Sequence, residues 1–412
     1  MRRLPPSLRL RDFRLLWIGI LCSGLAAQMA AVAVGWQVYS IHRSAFDLGL
    51  IGLAEFVPLP LLALPAGQLA DRLPRTRIYA VSIAGEAAVA ALLLVVTRHG
   101  AHALWAFVAL AFLTGATLAL GSPAARALTP ELVPDDLLAG AIALRSVASE
   151  IATIAGPALG GALYAAKPEA VYAVAVALFA IAMLGVLFLS RRPPLPAAEA
   201  PGIESLLGGI RLIRDTPVLL GAITLDLFAV LFGGAVALLP LYARSILHTG
   251  PLGLGVLRSM PAVGALLGAL LLARRPIGGR AGAKLLWVVG SFGACMVVFG
   301  LSRTIWLSGA ALAVSGFADM FSMNIRQSTV ALATPNALLG RVNSVEMVFI
   351  SASNELGAFE SGAAAALLGA APAVVAGGAI TIALALVWPR VFPALARIDR
   401  LEELRPALPP TG

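Results

Sequence analysis

Twelve apolar runs, separated by short polar breaks, divide the chain. They fall at about 15–39, 48–70, 78–97, 103–124, 137–165, 170–189, 218–242, 252–273, 285–301, 305–325, 342–368 and 371–388. About twenty apolar residues cross the roughly 30 Å hydrocarbon core as a helix. In lipid a helix satisfies its own backbone hydrogen bonds, which is why helices can span. The pattern predicts an all-α integral membrane protein with twelve transmembrane helices in two six-helix bundles. The bundles are expected at 1–189 and 218–389, with a linker at 190–217 and a tail at 390–412. In the linker, Arg191-Arg192-Pro193-Pro194-Leu195-Pro196 reads as a stiff polyproline-type connection. Ile203, Leu206, Leu207, Ile210 and Ile213 follow at helical spacing. That stripe predicts an amphipathic helix lying in the cytoplasmic interface.

The two halves echo each other. At an offset of 200, Arg126 falls on Arg326, Thr129 on Thr329, Leu138 on Leu338 and Gly140 on Gly340. Leu48-Gly49-Leu50 in the second run is matched by Leu252-Gly253-Leu254 in the eighth. A weak internal repeat joined by a basic linker is the organisation of parallel-repeat transporters.

Composition agrees with membrane residence. The chain has 412 residues, 59% hydrophobic and only 12% charged, where a soluble domain is about a quarter charged. The net charge of +9 would suit nucleic acid, but the arginines sit in short loops between apolar runs. Only Arg43, Arg98, Lys167, Arg244 and Arg303 fall on one side, and most other basic residues fall on the opposite side. The basic side faces the cytoplasm, so both termini are expected inside and nucleic acid is not expected as a partner. Cys22 and Cys295 lie within apolar runs and suggest no disulfide framework. No cleavable signal peptide is expected, because the first run is too long for one. His42, His99, His102 and His248 all fall in outer loops; scattered loop histidines are the simpler account, and neither a metal site nor a cofactor is expected.

The stretch Gly67-Gln68-Leu69-Ala70-Asp71-Arg72-Leu73-Pro74-Arg75-Thr76-Arg77 is a charged turn between the second and third runs. It resembles the loop between helices 2 and 3 of the major facilitator superfamily, through Gly67, Asp71, Arg72 and Arg75. Pro74 stands where that family usually has glycine. The resemblance implies a gating loop, with Arg126, Gly340 and Arg341 at the other cytoplasmic helix ends. In the fifth run, Gly156-Pro157-Ala158-Leu159-Gly160-Gly161 permits close helix packing and a bend. The same residues resemble the helix-5 motif of superfamily antiporters and exporters. Thr129-Pro130-Glu131-Leu132-Val133, Ser205-Leu206-Leu207-Gly208-Gly209-Ile210-Arg211 and 334–343 resemble the enterobactin-exporter branch of the superfamily.

Charge within hydrocarbon is costly, so ionisable residues inside the runs are functional candidates. Asp226 stands alone between Leu219 and Leu241, and Asp319 precedes Arg326 by two turns on the same face. The resemblance places helices 1, 4, 7 and 10 around a central cavity, making Gln28, Asp226, Asp319 and Arg326 candidates to line it. An ion pair between Asp319 and Arg326 is the structural alternative. The eleventh run is unusually polar, with Glu346, Glu355 and Glu360, and the second run carries Glu55. Facing carboxylates are one way to hold a proton; pairing of Arg258 with Glu355 or Glu360 is the plainer account. The candidates for proton coupling are thus Asp226, Asp319, Glu55, Glu346, Glu355 and Glu360.

The expected protein is a secondary active transporter of the bacterial inner membrane. It would work as a monomer, with protons and a small hydrophobic or siderophore-like molecule as partners, and would export by alternating access. Uptake on the same fold is the alternative. An enzyme is not expected, since no histidine lies within a run to serve a nucleophile.

Overall fold

The computed structural model describes residues 5–62, 65, 69, 73–100, 102–190, 203–275 and 277–404. The described residues are helical almost throughout, without strands. The twelve long helices are α1 (Arg11–His42), α2 (Ala45–Phe56), α3 (Arg75–Arg98), α4 (Leu104–Leu132), α5 (Asp135–Ala166), α6 (Pro168–Leu187), α7 (Pro217–Gly233), α8 (Pro251–Arg274), α9 (Ala281–Leu301), α10 (Ile305–Ala333), α11 (Asn336–Leu368) and α12 (Ala370–Val391). Eleven spans among the described residues are long and apolar enough to cross a bilayer. The remaining helix, α11, has 33 residues but carries Arg341, Glu346, Glu355 and Glu360, which dilute its hydropathy.

By contacts the chain divides into two compact units, Met1–Ala200 with Ala243–Ser259, and Pro201–Tyr242 with Met260–Gly412. The first unit closes around a core that includes Phe13, Leu16, Ile78, Ile83, Leu128 and Phe179. Its helices approach closely along the glycine motif of α5. A Cβ on Gly156 would lie 2.6 Å from the Gln28 Cβ, and one on Gly160 would lie 2.8 Å from the Met29 Cα, both on α1. Ser259, two turns into α8, donates its hydroxyl to the Ile154 carbonyl at 2.7 Å. The second unit has its own core around Ala222, Leu225, Leu285, Val289, Ile325 and Trp388.

Several boundaries depart from the hydropathy pattern, each for a local reason. α4 and α10 run on to Leu132 and Ala333, beyond the apolar windows. Arg126 and Glu131 on α4 and Arg326 on α10 lower the averaged hydropathy there without breaking the helix. All three therefore stand on helices rather than in loops. The seventh run breaks. Its α-helix stops at Gly233, Gly234 adopts φ −79°, ψ 98°, and short 3-10, α and π turns carry the chain to Ile246. Gly233 and Gly234 hold the helix weakly, and Pro240 has no N–H to continue the ladder. Ser361 on α11 donates to the carbonyl of Gly234 at 2.8 Å, satisfying a backbone group the break frees.

The linker helix forms over Ile203–Asp215, but its described end is not simply laid in lipid. Leu212 and Ile213 are buried with Leu219, Ile223, Val330, Val342 and Val345, while Ile210 remains exposed. Gly209 allows this contact: a Cβ there would stand 3.0 Å from the Arg341 carbonyl oxygen on α11. The side chains of Ile203, Leu206 and Leu207 lie outside the described residues.

Candidate functional site

The densest charge cluster sits inside the second unit. Asp226 projects from α7, Arg326 from α10 and Glu346 from α11, with side chains only 12%, 6% and 10% exposed. Arg326 forms an ion pair with Asp226 through Nη1 and Oδ1. Its Nε donates to Oε1 of Glu346 at 3.2 Å. One guanidinium thereby ties three helices, and two carboxylates share one cation. Buried charges are tolerated when paired and hydrogen-bonded in this way. Asp226 is therefore not isolated, as its apolar surroundings in the sequence suggest. Arg326 is not paired with Asp319 either; its acidic partners come from α7 and α11. Asp319 instead lines a narrow pocket with Asp226, Val289, Phe292 and Ser322. Arg326, Asp226, Asp319 and Glu346 thus gather in one region, although they are up to 120 positions apart in the chain.

The other α11 candidates are spread along that helix. Glu355 is half-buried, and Glu360, also half-buried, bonds with its neighbour Ser361. Gly340 and Arg341 are exposed at the start of α11. In the first unit, Gln28 packs beside Gly156 on the α1 side, while Pro157 and Gly161 face α8, with Gly161 against Pro251 and Gly255. Arg75 pairs with Glu131 at 2.5 Å, joining the start of α3 to the end of α4. Gly67, Asp71 and Arg72 lie outside the described residues. Arg126 is exposed, and its Nε donates to the Ser122 carbonyl one turn earlier at 3.4 Å. Glu55 on α2 lies within electrostatic reach of Arg258 on α8 and of Glu86 on α3.

Glu86 is absent from the sequence-derived candidates, yet it was findable as the lone carboxylate of the third run. A second group had no sequence signal. Gln37 on α1 donates to Thr97 at 3.1 Å and accepts from the Tyr172 hydroxyl at 2.8 Å. Tyr39 bonds with Ser245 at 2.8 Å, and Arg244 bonds to Ser40 and stacks 5.3 Å over the Trp36 ring. Among the described residues, no group of three or more His, Cys, Asp or Glu could hold a metal ion.

The long apolar helices define a multi-pass membrane protein, and solved structures carry the same fold. A bacterial homologue of the iron transporter ferroportin in its inward-facing state superposes with a TM-score of 0.71 at 16% identity, covering 94% of this chain and 99% of that one. A bacterial homologue of the human lysosomal transporter Spinster, inward-facing and occupied, gives 0.70 at 15% identity over 94% of this chain and 96% of that one. The model of the transmembrane secretion effector family of the major facilitator superfamily matches residues 4–405, and the chain belongs to that family. Curated relatives include the enterobactin exporter EntS of Citrobacter koseri, 29% identical over 81% of this chain and 80% of its own length. The EntS of Escherichia coli O139:H28 is 28% identical over the same shares. Fold and relatives are those of transporters of small molecules and not of enzymes.

Proposed function

We propose that this transporter exports a small hydrophobic or siderophore-like molecule in exchange for protons, by alternating access in the bacterial inner membrane. The relatives' printed activity and the α5 glycine motif both favour export. The basic side of the chain supports cytoplasmic termini. The protein would act as a monomer, without nucleic acid, with bundles at 1–189 and 218–389 joined by the linker at 190–217.

The observation that carries the coupling is the cluster of Asp226, Arg326 and Glu346. Two carboxylates against one guanidinium leave one negative charge uncancelled. A single proton, taken by Asp226, would neutralise the cluster and release Arg326 from α7. Asp319, in the same pocket as Asp226, is the nearest second acceptor. A proton arriving here thus changes which helices are tied together, and that is the change alternating access requires. The stretch around Gly67, Asp71, Arg72 and Arg75 would latch the cytoplasmic side, with the Arg75–Glu131 pair bracing it.

Asp226→Asn tests this reading in vesicles loaded with substrate. Efflux driven by a proton gradient should be abolished, while downhill exchange persists. A variant that still pumps uphill would make Asp226 structural and move the proton to Asp319, Glu55, Glu346, Glu355 or Glu360.

A further inference from the structure

The first unit has an apolar cleft that its charged residues do not explain. α2 packs on α4, and between them lies a cleft of about 610 Å³. Leu50, Leu53 and Val57 form one wall; Trp105, Val108 and Phe112 form the other. Both sets recur at i, i+3 and i+7, so each wall is one stripe of a helix. Every wall residue is aliphatic or aromatic. The two backbones meet where α4 has Gly115, since a Cβ there would collide with the Glu55 carbonyl. Glu55 and Gly115 each lie about 15 Å from the start of their helices at the helical rise per residue. That distance is about half the hydrocarbon core. The cleft therefore runs from the first turn of α4 to the middle of the bilayer, the depth of a single leaflet. Phe112 and Leu113 are exposed, so the cleft opens sideways. Trp105, 74% exposed, stands at its mouth, where an aromatic side chain suits the membrane interface. The turn that leads into α4 brings Arg98, His99 and His102, all exposed. The sequence has no acid between Glu86 and Glu131, and Asp47 at the start of α2 is held by His42 at 3.6 Å. The mouth thus carries a basic rim.

An apolar slot one leaflet deep, below a basic rim, matches the build of a phospholipid: an alkyl chain beneath a phosphate. A chain in the slot touches two walls instead of one, which adds dispersion contacts over the flat helix surface. A phosphate at the rim meets the Arg98 guanidinium in a charge-assisted contact. We propose that the cleft between α2 and α4 is a binding site for an anionic phospholipid, with one acyl chain along the cleft and the phosphate toward Arg98. The lipid belongs to the periplasmic leaflet on the orientation proposed above; the site itself depends neither on that orientation nor on the direction of transport.

The probe is phosphatidylglycerol with a photoactivatable diazirine midway along one chain, mixed into phosphatidylcholine nanodiscs that hold the purified full chain. Cross-linked peptides are mapped by mass spectrometry. Adducts on 50–57 and 105–113 are compared with adducts around Ile380 and Leu386, exposed apolar residues of α12, which report ordinary lipid contact in the same molecule. The cleft should be labelled more densely than α12. It should also take this probe about fivefold better than the matching phosphatidylcholine probe, the discrimination that one basic residue gives near a membrane surface. Ala109→Trp, which fills the cleft from the α4 wall, should remove the cleft adducts and leave those on α12. Arg98→Gln should keep the adducts and lose the headgroup preference. Equal labelling of cleft and α12 would overturn the site, as would cleft labelling that Ala109→Trp leaves unchanged. A diazirine-bearing fatty alcohol that labels the cleft as well as the phospholipid does would overturn the assignment to an anionic lipid and leave the cleft to any alkyl chain, the cargo's included. The ratios in the unaltered protein decide the matter even where a variant does not fold.

Discussion

Arg126 and Arg326 occupy equivalent places in the two halves and meet opposite surroundings. Arg326 is 5% exposed and shared by Asp226 and Glu346. Arg126 is exposed and has another arginine for its charged neighbour. The offset that relates the halves explains part of this: Glu346 falls on Ser146, and Arg145 falls on Val345. A repeat copies helix positions; a few side chains then give each half its own charge arrangement. The second unit gathers two buried carboxylates on one guanidinium. The first unit buries Glu55 and Glu86 instead, with Arg126 left exposed.

The largest expected effect follows from breaking the paired arginine. Arg326→Leu would leave Asp226 and Glu346 buried without a cation, a loss of about 3–5 kcal/mol. Thermal unfolding in detergent should report it, and a melting temperature equal to the parent's would show that the cluster is wet and weakly coupled. Replacing Asp226, Arg326 and Glu346 together with leucine removes all three charges at once. Stability should then return to within about 1–2 kcal/mol of the parent, because a buried ion cluster and a well-packed apolar one are close in energy. Transport should stay absent, and a triple variant that still pumps would exclude the cluster from coupling.

A smaller effect on the fold is expected at the gate stretch. Asp71→Asn removes one charge from the 67–77 stretch, so membrane abundance should hold while initial transport rates fall. Unchanged rates at equal abundance would dispose of the latch. The smallest effect belongs to Arg126→Leu. An exposed arginine without a carboxylate partner among the described residues contributes within about 0.5 kcal/mol to stability, so the variant's melting temperature should match the parent's. A loss as large as that of Arg326→Leu would mean that the two arginines are equivalent after all.

Much of the architecture was legible in the chain itself. Run lengths alone call for twelve helices, and the polar eleventh run announces the helix that falls short on hydropathy. The chemistry of 67–77 and of Gly156-Pro157 points to the superfamily before any helix is placed. Of the candidate site, the members could be named singly: Asp226, Asp319, Arg326 and Glu346 each stand out as charge in an apolar run. Their partnership could not. Sequence spacing favours Asp319 and Arg326, two turns apart on one helix, yet Arg326 turns to neighbours 100 and 20 positions away.

By itself the sequence determined what local physics controls: where the chain is apolar enough to enter lipid, and which charged groups fall inside those runs. Tertiary structure decided the rest. The break after Gly233 is stabilised by Ser361 from another helix. α4 and α10 extend past their apolar windows, to Leu132 and Ala333. The cluster on Arg326 depends on three helices packing with their charged faces together, and no single helix specifies that. Charge pairing in hydrocarbon is a property of what packs against a residue, so its pattern appears only when the helices are assembled.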